Sequence, residues 1–348
     1  MHTRPASPES PCLAVVIPCY KVTRHIGGVL RDMGPEVELI VCVDDACPDG
    51  SGKTAQEALP GDPRLHVVTH EENQGVGGAV LTGYKEAVKL GATCMVKIDG
   101  DGQMDPALIS RIAAPVLMGQ ADYVKGNRFF NLEDVRAMPM VRLIGNAGLS
   151  FLSKVSSGYW NLFDPTNGFT AIHANVAAML PMDRISKRYF FESDMLFRLN
   201  TLRAVVVDVP MAARYEDEES GLNVKRALVS FPFLHGRNFL KRIFYNYFLR
   251  NFSFASLNLV LGFLLFCFGV VFGGAHWIHS TVSGTTASSG TVMIAAVAII
   301  LGFQLLLNFF NADMADLPRE PVHKKVAGLV SHCIPSDNPP SPSSGDNA

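Results

Sequence analysis

The 348-residue chain is predicted to be an α/β protein with a mostly parallel sheet, extended by a hairpin of two membrane-crossing helices. Strand-like apolar runs alternate with helical stretches up to about Arg250, the pattern of a parallel sheet built from crossover units. From there to about Phe310 the charged residues vanish. Each early strand run also ends in polar or turn residues, and ligands of such sheets bind outside the carboxyl ends of the strands.

The first run, LAVVIPCY from Leu13, reads as a buried strand closed by proline, and VELIVCVDDA, RLHVVTH and TCMVKIDGDG repeat the pattern. Their ends are Cys19-Tyr20-Lys21, Asp44-Asp45, His70 to Asn73 and Asp99 to Gln103. The segment NQGVGGAVLTGYKEAVKLGA reads as a glycine-rich turn entering a helix, with Ala79, Val80, Tyr84, Ala87 and Val88 on its apolar face. Its amino end fits a phosphate cradle or, equally, close packing of the helix.

Two runs, FASLNLVLGFLLFCFGVVFGGAHWI (Phe254 to Ile278) and TVMIAAVAIILGFQLLLNFF (Thr291 to Phe310), contain no Asp, Glu, Lys or Arg. Each reaches the roughly 20 residues needed to cross a hydrocarbon core. Arg237, Lys241, Arg242 and Arg250 precede the first, Arg319, Lys324 and Lys325 follow the second, and the loop between has no Lys or Arg. The positive-inside rule therefore places both flanks in the cytoplasm. Before the first run, GRNFLKRIFYNYFLRNF sets Phe239, Leu240, Ile243, Phe244, Tyr247 and Phe248 at helical spacing among basic residues, as in an interfacial helix.

The expected division is a flexible N-terminus over 1–12, a catalytic α/β domain over 13–221 and interfacial amphipathic helices over 222–252. Two transmembrane helices over 253–311 and a largely disordered cytoplasmic tail over 312–348 complete it; the tail ends in the Pro/Ser-rich PSDNPPSPSSGDNA. The N-terminus lacks the apolar region of a secretory signal. A net charge of −2 gives no overall pull toward nucleic acid. The seven cysteines form no CxxC pair and read as reduced thiols.

Within DGDGQ, Asp99 and Asp101 are two residues apart and can share a divalent cation at a strand end, with Gln103 adding a neutral oxygen. Hard oxygen donors suit Mg²⁺ or Mn²⁺. A plain turn uses the same residue types.

Taken together and in order, VVIPCYK, VDDACPDGS, NQGVGGA, DGDGQMDP and DYVKGNRF resemble the family 2 glycosyltransferases of the GT-A fold. More narrowly, the chain is similar to the membrane-anchored polyprenyl-phosphate glycosyltransferases. The resemblance covers about Leu13 to Tyr215 and continues through the two-span anchor. It implies a Rossmann-like GT-A catalytic domain and a donor pocket containing Pro18, Tyr20, Asp44, Asp45, Asp99 and Gly100. Asp99, Asp101 and Gln103 fall on the family's metal motif, with Asp101 also implied in catalysis. Arg128 is implied near the phosphates, as both a catalytic and an acceptor-phosphate residue, and Arg214 joins it at the acceptor. Glu192 and Asp194, in RYFFESDML, sit near the catalytic carboxylate that other family 2 enzymes keep for hydroxyl acceptors; a phosphate acceptor dispenses with that base, so a positioning role is expected of them, or simply that of an acidic pair at a helix amino end. Thr166 and Asn167 are candidates for sugar hydroxyls, although turn formation explains Pro165-Thr166-Asn167-Gly168 nearly as well. The acidic EDEES at 216–220 departs from the expected acceptor loop and reads as a solvated charge run.

The implied activity is transfer of a sugar from a nucleotide-sugar to a polyprenyl (dolichyl or undecaprenyl) phosphate, with inversion at the anomeric carbon. Mannose is the first expectation, with UDP-glucose or UDP-GlcNAc as alternative donors. The implied protein is integral to the membrane, with its catalytic domain and both termini cytoplasmic, in the inner membrane if bacterial. Homo-oligomerisation stays open, and nucleic acid is not a partner. The rivals are a processive polysaccharide synthase, although no QxxRW-type motif is present, and a non-catalytic membrane scaffold.

Overall fold

A computed structural model of the chain describes residues 11–130, 140–211 and 224–326. Residues 1–10 of the N-terminus expected to be flexible over 1–12, Arg214, the EDEES run and the Pro/Ser-rich tail lie outside the described residues.

Seven strands form one sheet: β1 (Leu13–Cys19), β2 (Leu39–Asp44), β3 (Leu65–Thr69), β4 (Cys94–Lys97), β5 (Tyr123–Asn127), β6 (Thr170–His173) and β7 (Val206–Pro210). Their spatial order is β3-β2-β1-β4-β6-β5-β7. All pairings are parallel except those of β6, which runs antiparallel to both β4 and β5. The carboxyl ends of the other six strands therefore share one edge, and the start of β6 joins them there.

The strands are apolar at successive positions because both faces are covered. One face packs Val16, Val41, Tyr84, Met95, Tyr123 and Leu196, and the other packs Val15, Ile17, Ile40, Val96, Ile112 and Val124. The helices are α1 (Ile26–Arg31), α2 (Ser51–Ala58), α3 (Val76–Lys89), α4 (Ile109–Leu117), α5 (Met140–Ser157), α6 (Ala174–Met179) and α7 (Phe191–Thr201).

Beyond the sheet, α8 (Val224–Phe244) continues through a π-helical turn, Tyr245–Arg250, into α9 (Phe254–Ser283) and α10 (Ser289–Ala315). The last two contain the uncharged runs and are long and apolar enough to cross a membrane. A reciprocal pair of bonds between Ser253 and Ser256 starts α9, and Gly284, at φ +68°, ends it.

Glycines let the two long helices approach closely. A Cβ at Gly302 would lie 2.9 Å from both Gly262 O and Phe266 Cα, and one at Gly269 would lie 2.8 Å from Ile299 N. Gly302→Leu is expected to spread the hairpin, at a cost of roughly 1–3 kcal/mol or more from overpacking. Loss of a disulfide engineered between the two helices in that background, read by gel mobility, checks it; full retention would refute the tight crossing.

The hairpin is fastened to the α/β domain. Asp313 of α10 is nearly fully buried and receives Arg242 of α8 through both carboxylate oxygens, at 2.6 and 2.9 Å. Trp160 Nε1 and Tyr247 OH donate to the same carboxylate at 3.0 and 2.7 Å. Past α10, Arg203 pairs with Asp316, and the backbone N–H groups of Val322 and His323 donate to the buried Asp122.

Candidate active site

At the end of β1, Tyr20 is exposed and Lys21 takes a left-handed conformation, φ +58°. The neighbouring Asp44 and Asp45 are almost fully buried. Asp44 accepts the N–H groups of Cys47 and Gly52, both at 2.7 Å, and so ties down the loop into α2. Gly52 has to lack a side chain, since a Cβ would sit 2.6 Å from Asp44 Oδ2. Asp45 Oδ1 lies 2.7 Å from His70 Nδ1 and accepts the Gln74 N–H at 2.8 Å, while Oδ2 accepts the Gly75 N–H at 2.8 Å. The acidic pair thus shapes the edge.

The glycine-rich turn resolves in favour of packing. Gly78 N–H donates to Lys187 O, and Cβ atoms at Gly75 and Gly77 would sit 2.7 Å from Lys187 O and Ser186 O respectively. The segment before α7 therefore covers the amino end of α3, where a phosphate would otherwise sit.

The DGDGQ turn leaves β4 at the centre of the edge. Gly102, at φ +81°, makes the reversal that L side chains resist, and Gln103 N–H closes it onto Asp101 Oδ1 at 3.0 Å. Asp99 Oδ1 lies 2.9 Å from Lys97 Nζ. A Cβ at Gly168 would overlap the Lys97 ammonium and lie 2.9 Å from Asp99 Oδ2, so the reversed strand β6 brings a bare backbone against this pair. Among the described residues no group of three or more His, Cys, Asp or Glu gathers in metal-binding geometry.

Arg128 follows β5 and is bound by the fully buried Asp164, with Nε to Oδ2 at 2.8 Å and Nη2 to Oδ1 at 3.1 Å. Thr166 donates to Asp164 at 3.2 Å. Asn167 turns inward, donating to Gly126 O at 2.8 Å and accepting the Phe169 N–H at 2.9 Å.

The two α7 carboxylates point to different partners. Glu192 reaches Lys125 Nζ at 3.1 Å and Lys97 Nζ at 3.5 Å. Asp194 accepts from Ser186 N–H (2.9 Å), Arg198 Nε (3.2 Å) and, across to α8, Asn238 Nδ2 (3.0 Å). Glu192 is therefore joined to Asp99 through Lys97, whereas Asp194 holds α7 against α8.

Sheet register explains the first grouping. Val16, Lys97, Thr170, Lys125 and Asp208 are consecutive neighbours across β1, β4, β6, β5 and β7, so they line one face near the carboxyl edge. Burial opposes the charge on Lys97, but Asp99 and Glu192 more than offset this and hold its pKa above the ordinary lysine value. Burial pushes the Asp208 carboxyl up to about 6 despite the Phe163 N–H it accepts.

A raised carboxyl pKa contributes stability that is complete below about pH 4 and is lost as pH rises through about 6. Asp208→Asn is therefore expected to gain stability over the parent as pH rises across this window, by order 2–3 kcal/mol. Melting temperatures between pH 4 and pH 7 check it; a pH-independent difference would refute it.

Sequence reading missed Lys97, Lys125, Asp164, Gly168 and Asp208. Lys97 carried a usable signal, as the one cation inside TCMVKI, a run that reads as a buried strand, and Lys125 sits likewise between the apolar Tyr123-Val124 and a glycine.

The family model for Glycosyl transferase family 2 matches residues 14–179. An undecaprenyl-phosphate mannosyltransferase of Micrococcus luteus is 33% identical over 200 residues, covering 56% of this chain and 81% of that protein. A UDP-N-acetylglucosamine--dolichyl-phosphate N-acetylglucosaminyltransferase of Methanococcus voltae is 29% identical over 216 residues, covering 58% and 86%. Among solved structures, glucosyl-3-phosphoglycerate synthase from Mycobacterium tuberculosis, in complex with Mn²⁺, UDP and glucosyl-3-phosphoglycerate, superposes with TM-score 0.51 at 16% identity, covering 70% of this chain and 86% of that one. That likeness is one of fold. The mostly parallel sheet is that of a GT-A glycosyltransferase fold. The chain belongs to glycosyl transferase family 2.

Proposed function

We propose that this enzyme is a membrane-anchored, inverting transferase that moves a sugar, mannose in the first instance, from a nucleotide-sugar to a polyprenyl phosphate. The observation that carries this reading is the commitment of both α7 carboxylates, Glu192 to two lysines and Asp194 to Ser186, Arg198 and Asn238. An acceptor hydroxyl needs a base, whereas a phosphate oxygen arrives ionised near neutral pH and needs only cations that let two anions approach. Arg128, aimed by Asp164, is assigned to that screening, and Arg214, outside the described residues, is its proposed partner.

Asp99, Asp101 and Gln103 fit Mg²⁺ or Mn²⁺ in kind, being hard oxygen donors on a turn that glycines keep clear of side chains. These three would hold the cation, which would offset charge building on the departing nucleoside diphosphate. Pro18, Tyr20 and Gly100 form the rest of the proposed donor pocket, on a framework braced by Asp44 and Asp45. The phosphate oxygen of the acceptor attacks the anomeric carbon as its bond to the diphosphate oxygen breaks, inverting the centre.

Exposed apolar side chains support anchoring. Met140, Ile144 and Phe151 of α5, with Leu240 and Phe244 of α8, are all more than half exposed and lead toward Leu249, Phe252 and the uncharged helices. The proposed division is a catalytic domain over 13–221, an interfacial segment over 222–252, the anchor over 253–311 and a cytoplasmic tail beyond. The name of the M. voltae relative favours GlcNAc as the second donor to test.

A panel of GDP-mannose, UDP-GlcNAc and UDP-glucose, each with undecaprenyl or dolichyl phosphate, tests the proposal by glycolipid product. Metal-dependent release of nucleoside diphosphate is expected only with lipid phosphate. Release with a polysaccharide primer and none with lipid phosphate would refute it.

A further inference from the structure

Two fully buried lysines stand under the DGDG turn with no part in the chemistry just described. Lys97 and Lys125 each neighbour Thr170 across the sheet, and their side chains are 3% and 0% exposed. Glu192 enters from α7 and meets both ammonium groups, while Lys97 also meets Asp99. These two cations face two carboxylates, and Asp208, the further acidic neighbour of Lys125 across the sheet, is pushed up to about 6 by burial. An ammonium buried without such a partner is strongly disfavoured, so the lysines and Glu192 depend on one another.

We propose that Glu192, Lys97 and Lys125 are positioning residues of the donor site: Glu192 neutralises the two buried ammonium groups, so that Lys97 holds Asp99 and no surplus positive charge lies beneath the DGDG turn. This rests on the reading of Asp99 as a cation ligand, and it makes Glu192 something other than a proton acceptor. Glu192→Gln then leaves Lys97 with Asp99 and Lys125 with Asp208, whose charge burial disfavours, and the lost negative charge opposes a divalent cation bound beside them. Removing Lys125 as well restores the balance. A general base would show the opposite behaviour, because deleting a neighbouring lysine does not replace a lost proton acceptor.

The test is titration of the full, detergent-solubilised chain with Mn²⁺ in the absence of donor, the free ion being read by electron paramagnetic resonance. Glu192→Gln is expected to weaken Mn²⁺ binding about tenfold, and Lys125→Met with Glu192→Gln to bring it back to within about threefold of the parent, turnover recovering in parallel. Lys125→Met alone, which removes positive charge, should bind Mn²⁺ at least as tightly as the parent. If Glu192→Gln lowers the melting temperature, the charge-balanced double variant carries the test.

Unchanged Mn²⁺ affinity in a folded Glu192→Gln variant, or a folded double variant still impaired, overturns the positioning role. A parent chain that binds no Mn²⁺ overturns the cation reading of Asp99 and Asp101 and this inference with it. A parent that binds Mn²⁺ while Glu192→Gln binds it equally well overturns the positioning role alone.

Discussion

Asp101→Ala is expected to lower turnover by about 10²–10³-fold while leaving the chain folded and inserted in the membrane. The carboxylate closes the DGDGQ turn by accepting the Gln103 N–H, and in the proposed reaction it also faces the diphosphate as charge builds on the leaving group. Alanine removes the charge but keeps Gly102, the residue that makes the reversal, so the loss falls on chemistry more than on fold. Nucleoside diphosphate release with lipid phosphate measures the effect, and resistance to alkaline extraction reports insertion. Wild-type turnover in an inserted variant would favour a scaffold over an enzyme dependent on this turn.

Asp313→Ala is expected to cost about 3–5 kcal/mol, because it strands the buried Arg242 guanidinium without its counter-ion. The carboxylate also accepts from Trp160 and Tyr247, so its loss releases α8, α10 and the turn after α5 from one point. The α/β domain should then swing on the hairpin, and protease cleavage around 245–253 should accelerate. Replacing both partners, as in Arg242→Met with Asp313→Leu, should recover most of the stability, since the desolvation of two charges disappears with them. A double variant as unstable as Asp313→Ala would show that hydrogen bonding to Trp160 and Tyr247, and not the ion pair, is the fastening.

The first four strands were legible because the runs at Leu13, Leu39, Leu65 and Cys94 are short, apolar and closed by turn residues. The extended apolar face of α5 was not, because Met140, Ile144 and Phe151 are spread along a helix whose partners lie far away in sequence. The roles of Asp44 and Asp45 were half legible. Their place at a strand end could be read, but their bonds to Cys47, Gly52, Gln74 and Gly75 depend on loops folding back over the edge. NQGVGGA left a phosphate cradle and close packing open, and only the approach of residues 186–188 decides for packing. Arg128 was picked out by the family resemblance of GNRF, whereas its bidentate partner Asp164 comes from another segment altogether.

By itself the sequence determined the alternation of strands and helices, the placement of DGDGQ at a strand end, and two uncharged helices long enough for a bilayer. These follow from local periodicity and composition, which every residue carries within its own segment. Only the tertiary structure decided that β6 runs against its neighbours, that Lys97, Thr170, Lys125 and Asp208 stand in one row, and that Glu192 meets the first lysine while Asp194 meets α8. Register across a sheet joins residues far apart along the chain, and a shift of one position would turn both lysines to the opposite face. The charge balance beneath the turn is therefore a property of the folded sheet and of no single segment.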